Sequence, residues 1–412
     1  MKKSLFIISL KYPLLNSINI KLNNLCQKKA DIIIGCNGDD YASIYDRIKG
    51  LNIFDKVYLV RITEHDGIKR YFQNLGKNKI SLKKALRGTF KNILDQYFLR
   101  NKPIDFLQES VIKGENIILD DYDDIYINSP NEIIWVVLDY LVSHRTISCV
   151  NIIEGGANDY CKTDGFDVIR ERYGEKLGVN VYLYDPDVVI VDKNIDNVSF
   201  KRMPLISASS LEFKRMINKI FDYDCEKESL SSKCIFFEQV SEPMPEYLFN
   251  ANELIKFILQ NSYKKHLKDH NNYIEKNKAI FKALDIISKS HGDNSFLVKL
   301  HPRTKNGISP ELSKYCIGGI KNADNIPWEV YCTNIKFQNS IWMGIHSSAI
   351  LNRLLCFEQQ DKIKYIMLYK CIKYKNVDED KLDLFYHKVQ RKYVGKVFIP
   401  NSWKEFEDIV SG

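Results

Sequence analysis

Long apolar runs, flexible linkers and paired cysteines are all scarce in this chain, and each shortage excludes a class of protein. No stretch approaches the roughly 18 uninterrupted apolar residues of a membrane-crossing helix. Only 19 Gly and 11 Pro occur in 412 residues, which leaves no room for long flexible linkers or a collagen-like repeat. The 10 cysteines are scattered without a single C-x-x-C, and several lie inside apolar runs such as KCIFFEQV. They read as small buried hydrophobes of a reducing compartment, neither a disulfide framework nor zinc ligands. A Walker loop and a G-x-G-x-x-G after a strand are both missing, which argues against ATPase and dinucleotide chemistry. No D-x-D element of the sort that holds Mg²⁺ in metal-dependent transferases stands out, and the acidic run ILDDYDD at 118–124 reads as a loop.

What is present is the balance of a folded protein: 45% hydrophobic, 27% charged and 12% aromatic residues. The length predicts two domains, each able to bury its own core. At the N-terminus Lys2 and Lys3 precede a short apolar run, but Lys11 interrupts it and no small-residue cleavage site follows. A first core strand and a cytoplasmic protein are therefore expected. The formal charge of +8 suits an anionic partner, whether nucleotide, acidic glycan, anionic membrane or nucleic acid.

The first half alternates apolar strands with amphipathic helices, the pattern of a parallel sheet covered on both faces. Strands are expected at Ser4 to Leu10, Ala30 to Cys36, Lys56 to Ile62, Ile125 to Asn128 and Cys149 to Ile153. Helices are expected at Pro13 to Cys26, Tyr41 to Leu51, Leu82 to Leu99 and Asn131 to Ser143. Residues 195–232 read as a joint containing one helix, Leu211 to Phe221. The same grammar then restarts with strands at Cys234 to Val240, Phe296 to Leu300 and Ile341 to Ile345, and helices near Ala251 to Tyr263, Tyr273 to Ser288 and after His346. The expected fold class is α/β with two Rossmann-like domains facing across a cleft, the GT-B architecture. The N-terminal domain spans 1–205, a linker region 206–232, and a C-terminal nucleotide-sugar-binding domain 233–412. Ligands in such sheets bind at the carboxyl ends of the strands.

Four groups at those ends could carry chemistry. Lys299-Leu300-His301-Pro302-Arg303 delivers an imidazole and cations to a sheet edge, where they could stabilise the charge of a departing phosphate. Ser347 and Ser348 follow a strand and open a helix, so their hydroxyls and free N–H groups suit a phosphate, although helix capping accounts for the same residues. Pro327 starts a helix whose first turn holds Glu329, able to accept bonds from ribose hydroxyls or simply to favour the helix. In the first half, Glu154 ends a strand beside Gly155 and Gly156, which let a ligand approach the backbone, and could deprotonate an acceptor hydroxyl. Asp159, five residues on, is a second candidate for the same work. His266 and His270 have zinc-compatible spacing but no third ligand nearby, and read as a solvated helix face.

Acid-Gly in the first half, then HP, P-x-E and Ser-Ser in that order, resembles the motif series of bacterial sialyltransferases, most closely glycosyltransferase family 52. The resemblance extends to the marine-type sialyltransferases and capsule polysialyltransferases. It implies an inverting, metal-independent transfer of sialic acid from CMP-sialic acid to a sugar hydroxyl of lipooligosaccharide or capsule. By it Glu154 matches the catalytic base, His301 the group acting on the CMP phosphate, Glu329 a ribose contact, and Ser347 with Ser348 the phosphate contacts. Relatives often carry two acids before the Gly, whereas Ile153 stands in the first position here. The implied partners are a CMP-sugar donor and a glycan or glycolipid acceptor; peripheral contact with the inner membrane surface is a separate expectation, and no nucleic acid and no cofactor are expected. Lys362 to Lys375 mixes lysines with the apolar run KYIMLY, read as a core strand with basic flanks that could face a membrane. A rival of another class is a non-catalytic basic protein binding glycan or nucleic acid, and a nearer one is a GT-B enzyme using a different nucleotide sugar.

Overall fold

The structure, a computed structural model, describes residues 3–36, 40–61, 103–119, 122–128, 131–144, 146–192, 195–224, 230, 233–239, 260–302, 310–317, 326–347, 349–358, 361–372 and 379–412. It is an α/β protein that separates into two compact units. One comprises Met1–Pro186, Val191–Pro204 and Lys219–Phe221, the other Asp187–Ile190, Leu205–Asn218 and Asp222–Gly412.

The first unit is built on β1 (Lys3–Ile8), β2 (Ala30–Cys36), β3 (Lys56–Arg61), β4 (Val111–Lys113), β5 (Tyr122–Ile127), β6 (Cys149–Ile153), β7 (Gly178–Leu183) and β8 (Val198–Arg202). Its sheet runs β4-β3-β2-β1-β5-β6-β7-β8, all parallel except the β3–β4 edge pair. Central strands such as Ala30–Cys36 are buried along their whole length, as expected of a sheet covered on both faces. The helices are α1 (Lys11–Asn23), α2 (Asp40–Leu51), α3 (Pro103–Glu109), α4 (Glu132–Ser143), α5 (Asn158–Cys161) and α6 (Asp164–Tyr173). Asn131 caps α4 by accepting the Ile134 N–H at 3.0 Å, which satisfies one of its orphan donors.

The second unit takes in α7 (Leu211–Phe221) as far as Asn218, the last turn falling to the first unit; the Ser210 hydroxyl caps this helix by accepting the Phe213 N–H at 3.3 Å. Its strands are β9 (Cys234–Phe237), β10 (Phe296–Lys299), β11 (Cys316–Ile317), β12 (Gln338–Gly344), β13 (Lys362–Met367) and β14 (Val397–Phe398), ordered β11-β10-β9-β12-β13-β14 and all parallel. Its helices are α8 (Gln260–His291), α9 (Trp328–Asn334), α10 (Ala349–Cys356), α11 (Glu379–Lys392) and α12 (Trp403–Ser411). In both units the strand order is 3-2-1-4-5-6, with β4 and β8 added at the edges of the first. Chain direction across the sheet therefore reverses between β1 and β5, and again between β9 and β12, which is the Rossmann switch point.

Several expectations need correcting. The helix expected at Leu82 to Leu99 lies outside the described residues, as do positions 251–259 of another. The helix expected at Tyr273 to Ser288 is the second half of α8, which runs unbroken from Gln260 to His291. The polar stretch between its halves contains neither Gly nor Pro, so nothing stops the helix there. The acidic run at 118–124 is not all loop: β5 starts at Tyr122, because Tyr122, Ile125 and Ile127 pair with β1. The KYIMLY run forms most of β13.

Trp328, Phe337, Trp342 and Phe237 fill the second core, with Trp342 ring centroids 4.9 Å from Phe337 and 5.3 Å from both Phe237 and Trp328. Gly344 ends β12 where there is no room for a side chain: a Cβ would stand 2.7 Å from the Phe237 carbonyl oxygen and 2.8 Å from Ile350 Cδ1. Gly344→Ala must push β12 away from β9, and we expect it to lower the urea unfolding free energy by about 1–3 kcal/mol, the usual cost of overpacking. Unchanged urea midpoints would contradict the close approach.

Candidate functional site

In the first unit β6 runs straight into Glu154, whose N–H still donates to the Tyr182 carbonyl at 3.0 Å. The side chain is only 1% exposed. Its Oε1 accepts the Tyr12 hydroxyl at 2.9 Å, and its Oε2 accepts the Tyr160 hydroxyl at 2.6 Å and the Tyr184 N–H at 3.0 Å. Burial is the largest influence on this carboxyl and pushes it up to about 7; the three donors oppose that shift and the charge of Asp159 adds to it. Tyr12, which donates to Glu154 Oε1, is half-buried.

Asp159 sits in the first turn of α5 and is half-buried. Its Oδ2 accepts the Gly155 N–H at 2.5 Å. Burial raises it to about 6, against hydrogen bonds from the backbones of Gly155 and Gly156. Gly156 has φ 142°, a conformation a side chain would strain. The sheet thus brings Glu154, Gly155, Gly156 and Asp159 together as two carboxyls that titrate near neutrality beside an open glycine edge.

In the second unit β9 lies between β10 and β12, so the residues that follow these three strands share one edge. Lys299, 8% exposed, donates from Nζ to the Leu300 carbonyl at 2.9 Å. His301 is half-buried and Pro302 exposed. His301 donates its backbone N–H to Glu238 Oε2 at 2.8 Å, and Glu238 Oε1 holds Lys276 Nζ at 2.5 Å with neither side chain exposed. Removing one member of such a buried pair costs about 3–5 kcal/mol.

Glu329, in the first turn of α9, is 4% exposed and accepts a short bond from Asn352 Nδ2. Burial raises its carboxyl, while the Asn352 bond, its own backbone and the charge of Lys299 act the other way. Lys299 and Glu329, more than two dozen residues apart in the chain, are therefore electrostatic neighbours. Half-buried Ser347 follows β12, and its backbone carbonyl accepts the Ile350 N–H at 3.4 Å as α10 begins. His346 before it is 6% exposed, packs against the Tyr369 and Tyr386 rings and is pushed down by burial to about 4, so it is neutral. Arg303 and Ser348 lie outside the described residues.

The sequence reading missed Glu238, Lys276, Asn352, Tyr12 and Tyr160. Glu238 carried the same signal as Glu154, an acid just past an apolar strand. Lys276 carried none, since a lysine on a Lys-rich helix reads as solvated. It also passed over four acidic triplets of D-x-D spacing, at 121–123, 222–224, 378–380 and Asp185-Pro186-Asp187. Asp185 Oδ1 meets Arg202 at 3.4 Å and Asp187 meets Lys392 at 2.9 Å, so both carboxylates face cations of the chain. Among the described residues no group of three or more His, Cys, Asp or Glu is arranged to hold a metal ion.

Two Rossmann-like α/β units with polar groups at the carboxyl edge of each sheet define the class of protein. No protein-family model and no curated protein matches the chain. Among solved structures it is similar to an α/β-galactoside α-2,3-sialyltransferase from Photobacterium phosphoreum, at 10% identity over 97% of this chain and 98% of that one, with TM-score 0.47. It is also similar to a UDP-GlcNAc 2-epimerase from Neisseria meningitidis bound to UDP-GlcNAc, at 10% identity over 99% and 90% of the chains, TM-score 0.43. A third is the MnaA–UDP complex of S. aureus, at 11% identity over 100% and 91%, TM-score 0.35. None of these similarities assigns a role to a residue of this chain.

A buried carboxyl raised from about 4.5 to about 7 is protonated more readily in the folded than in the unfolded chain. Glu154 therefore costs nothing below about pH 4.5 and destabilises progressively as pH rises through 7. Glu154→Gln should raise stability at pH 8 by on the order of 1–3 kcal/mol, reduced by any hydrogen bond lost, and should not do so at pH 4. Melting curves at the two pH values read this, and a larger gain at pH 4 would contradict the burial argument.

Proposed function

We propose that this chain is an inverting glycosyltransferase of the GT-B type that moves sialic acid from CMP-sialic acid to a sugar hydroxyl of a surface glycan, without a metal ion. What supports this reading is the chemistry that each unit by itself carries at its sheet edge. The first holds an acid tuned to neutral pH, and the second a His301 backbone held by Glu238 beside Lys299 and near the start of α10. The sialic acid itself comes from the motif resemblance.

In the proposed reaction Glu154 accepts the proton of the acceptor hydroxyl, through Tyr12 where the hydroxyl meets that side chain. The oxygen attacks the anomeric carbon, the bond from that carbon to the CMP phosphate oxygen breaks, and CMP leaves with the electron pair. His301, Ser347 and Ser348, with the N-terminus of α10, stabilise the charge on the departing phosphate. Glu329 accepts from ribose hydroxyls, and Lys299 and Arg303 offset the donor's negative charge. Gly155 and Gly156 leave space for the acceptor, and Asp159 raises the basicity of Glu154 through its charge. No helix among the described residues is long and apolar enough to cross a membrane, and we place the enzyme in the cytoplasm, peripheral to the inner membrane face that carries its acceptor.

CMP release from CMP-sialic acid in the presence of a panel of galactosides tests the reading. Glu154→Gln and His301→Ala are each expected to fold and to lose at least about a hundredfold in kcat, the usual contribution of a general base or an oxyanion donor. Wild-type turnover should fall as pH drops below about 7, because the base takes up a proton there. Wild-type rates in both variants, or turnover only with another nucleotide sugar, would replace this reading.

A further inference from the structure

Glu238 is the point at which three parts of the second unit meet. Its N–H donates to the Lys299 carbonyl at 2.9 Å, its Oε2 accepts the His301 N–H at 2.8 Å, and its Oε1 holds Lys276 of α8 at 2.5 Å. β10 ends at Lys299, so the His301 N–H is bonded by a side chain and not by a strand ladder, and Pro302, which follows it, has no N–H to donate. A buried N–H needs such a partner, and a charged acceptor is stronger and more directional than a neutral one. The carboxylate can stay in that dry position because Lys276 neutralises it. Their charges also cancel, so the pair adds no negative potential where an anionic nucleotide would sit.

We propose that Glu238 and Lys276 are positioning residues for His301: the ion pair fixes the backbone of the 300–302 turn, and with it the place where the imidazole meets a leaving phosphate. This rests on the transferase reading above, and neither residue is assigned a contact with substrate. Lys276 acts through Glu238, and Glu238 through the His301 N–H.

Two double variants separate positioning from bulk packing. Glu238→Gln with Lys276→Met, and Glu238→Leu with Lys276→Met, are both neutral and of similar volume, so both are expected to fold. Only the first keeps a carbonyl that can accept the His301 N–H. Hydrogen exchange of the His301 amide should be close to wild type in the Gln/Met protein and at least about tenfold faster in the Leu/Met protein, the scale set by one lost hydrogen bond. The kcat for transfer from CMP-sialic acid should drop by a similar factor in Leu/Met alone, with the acceptor KM little changed. Equal exchange rates in the two doubles, or equal kcat values, would overturn the proposal. A wild-type protein that turns over no CMP-sialic acid would instead sink the transferase reading, and the exchange comparison would still decide whether the pair holds the turn.

Discussion

Phe237 stands in parallel register with Lys299 on one side and with Gly344 on the other, and the second unit's functional edge depends on that alignment. Because three neighbouring strands stop at the same level, Glu238, His301 and the His346-Ser347 turn emerge side by side from distant stretches of sequence. Gly344 makes the alignment tight, since any larger residue would meet the Phe237 carbonyl. Trp328, Phe337 and Trp342 supply buried apolar area and edge-to-face ring contacts in the same unit.

Both units handle buried charge, and they do so differently. Glu154 is surrounded by tyrosine hydroxyls and a backbone N–H, neutral donors that do not outweigh desolvation, so its proton is held near neutral pH. Glu238 is given a full cation, Lys276, and a backbone donor. A group meant to exchange a proton is best left near balance, while one meant to hold a backbone is best kept charged. The contrast gives the two acids different chemistry although both follow an apolar strand.

Much of the fold was legible locally. β2, β6 and α7 coincide with their expected spans, because apolar β-branched runs, and the apolar spacing of α7 behind its Ser210 cap, announce themselves over a few residues. Glu154, His301 and Ser347 could be picked out as polar residues just past strand ends. The continuity of α8 and the early start of β5 were misjudged, since in both places polar residues masked a backbone whose partners lie elsewhere in the chain. His346 shows the opposite limit: it directly precedes Ser347 and Ser348, yet the rings of Tyr369 and Tyr386 pack against it.

By itself the sequence determined the α/β class, the two sheets and which residues stand at strand ends, because these follow from periodicity and turn chemistry within short windows. The tertiary structure alone decided the strand orders, the tyrosine enclosure that brings Tyr12 to Glu154 across 142 residues, the Lys299–Glu329 proximity and the Glu238–Lys276 pair. The reason is that burial and charge pairing are properties of neighbours in space, and a parallel sheet assembles those neighbours from segments whose local patterns carry no record of one another.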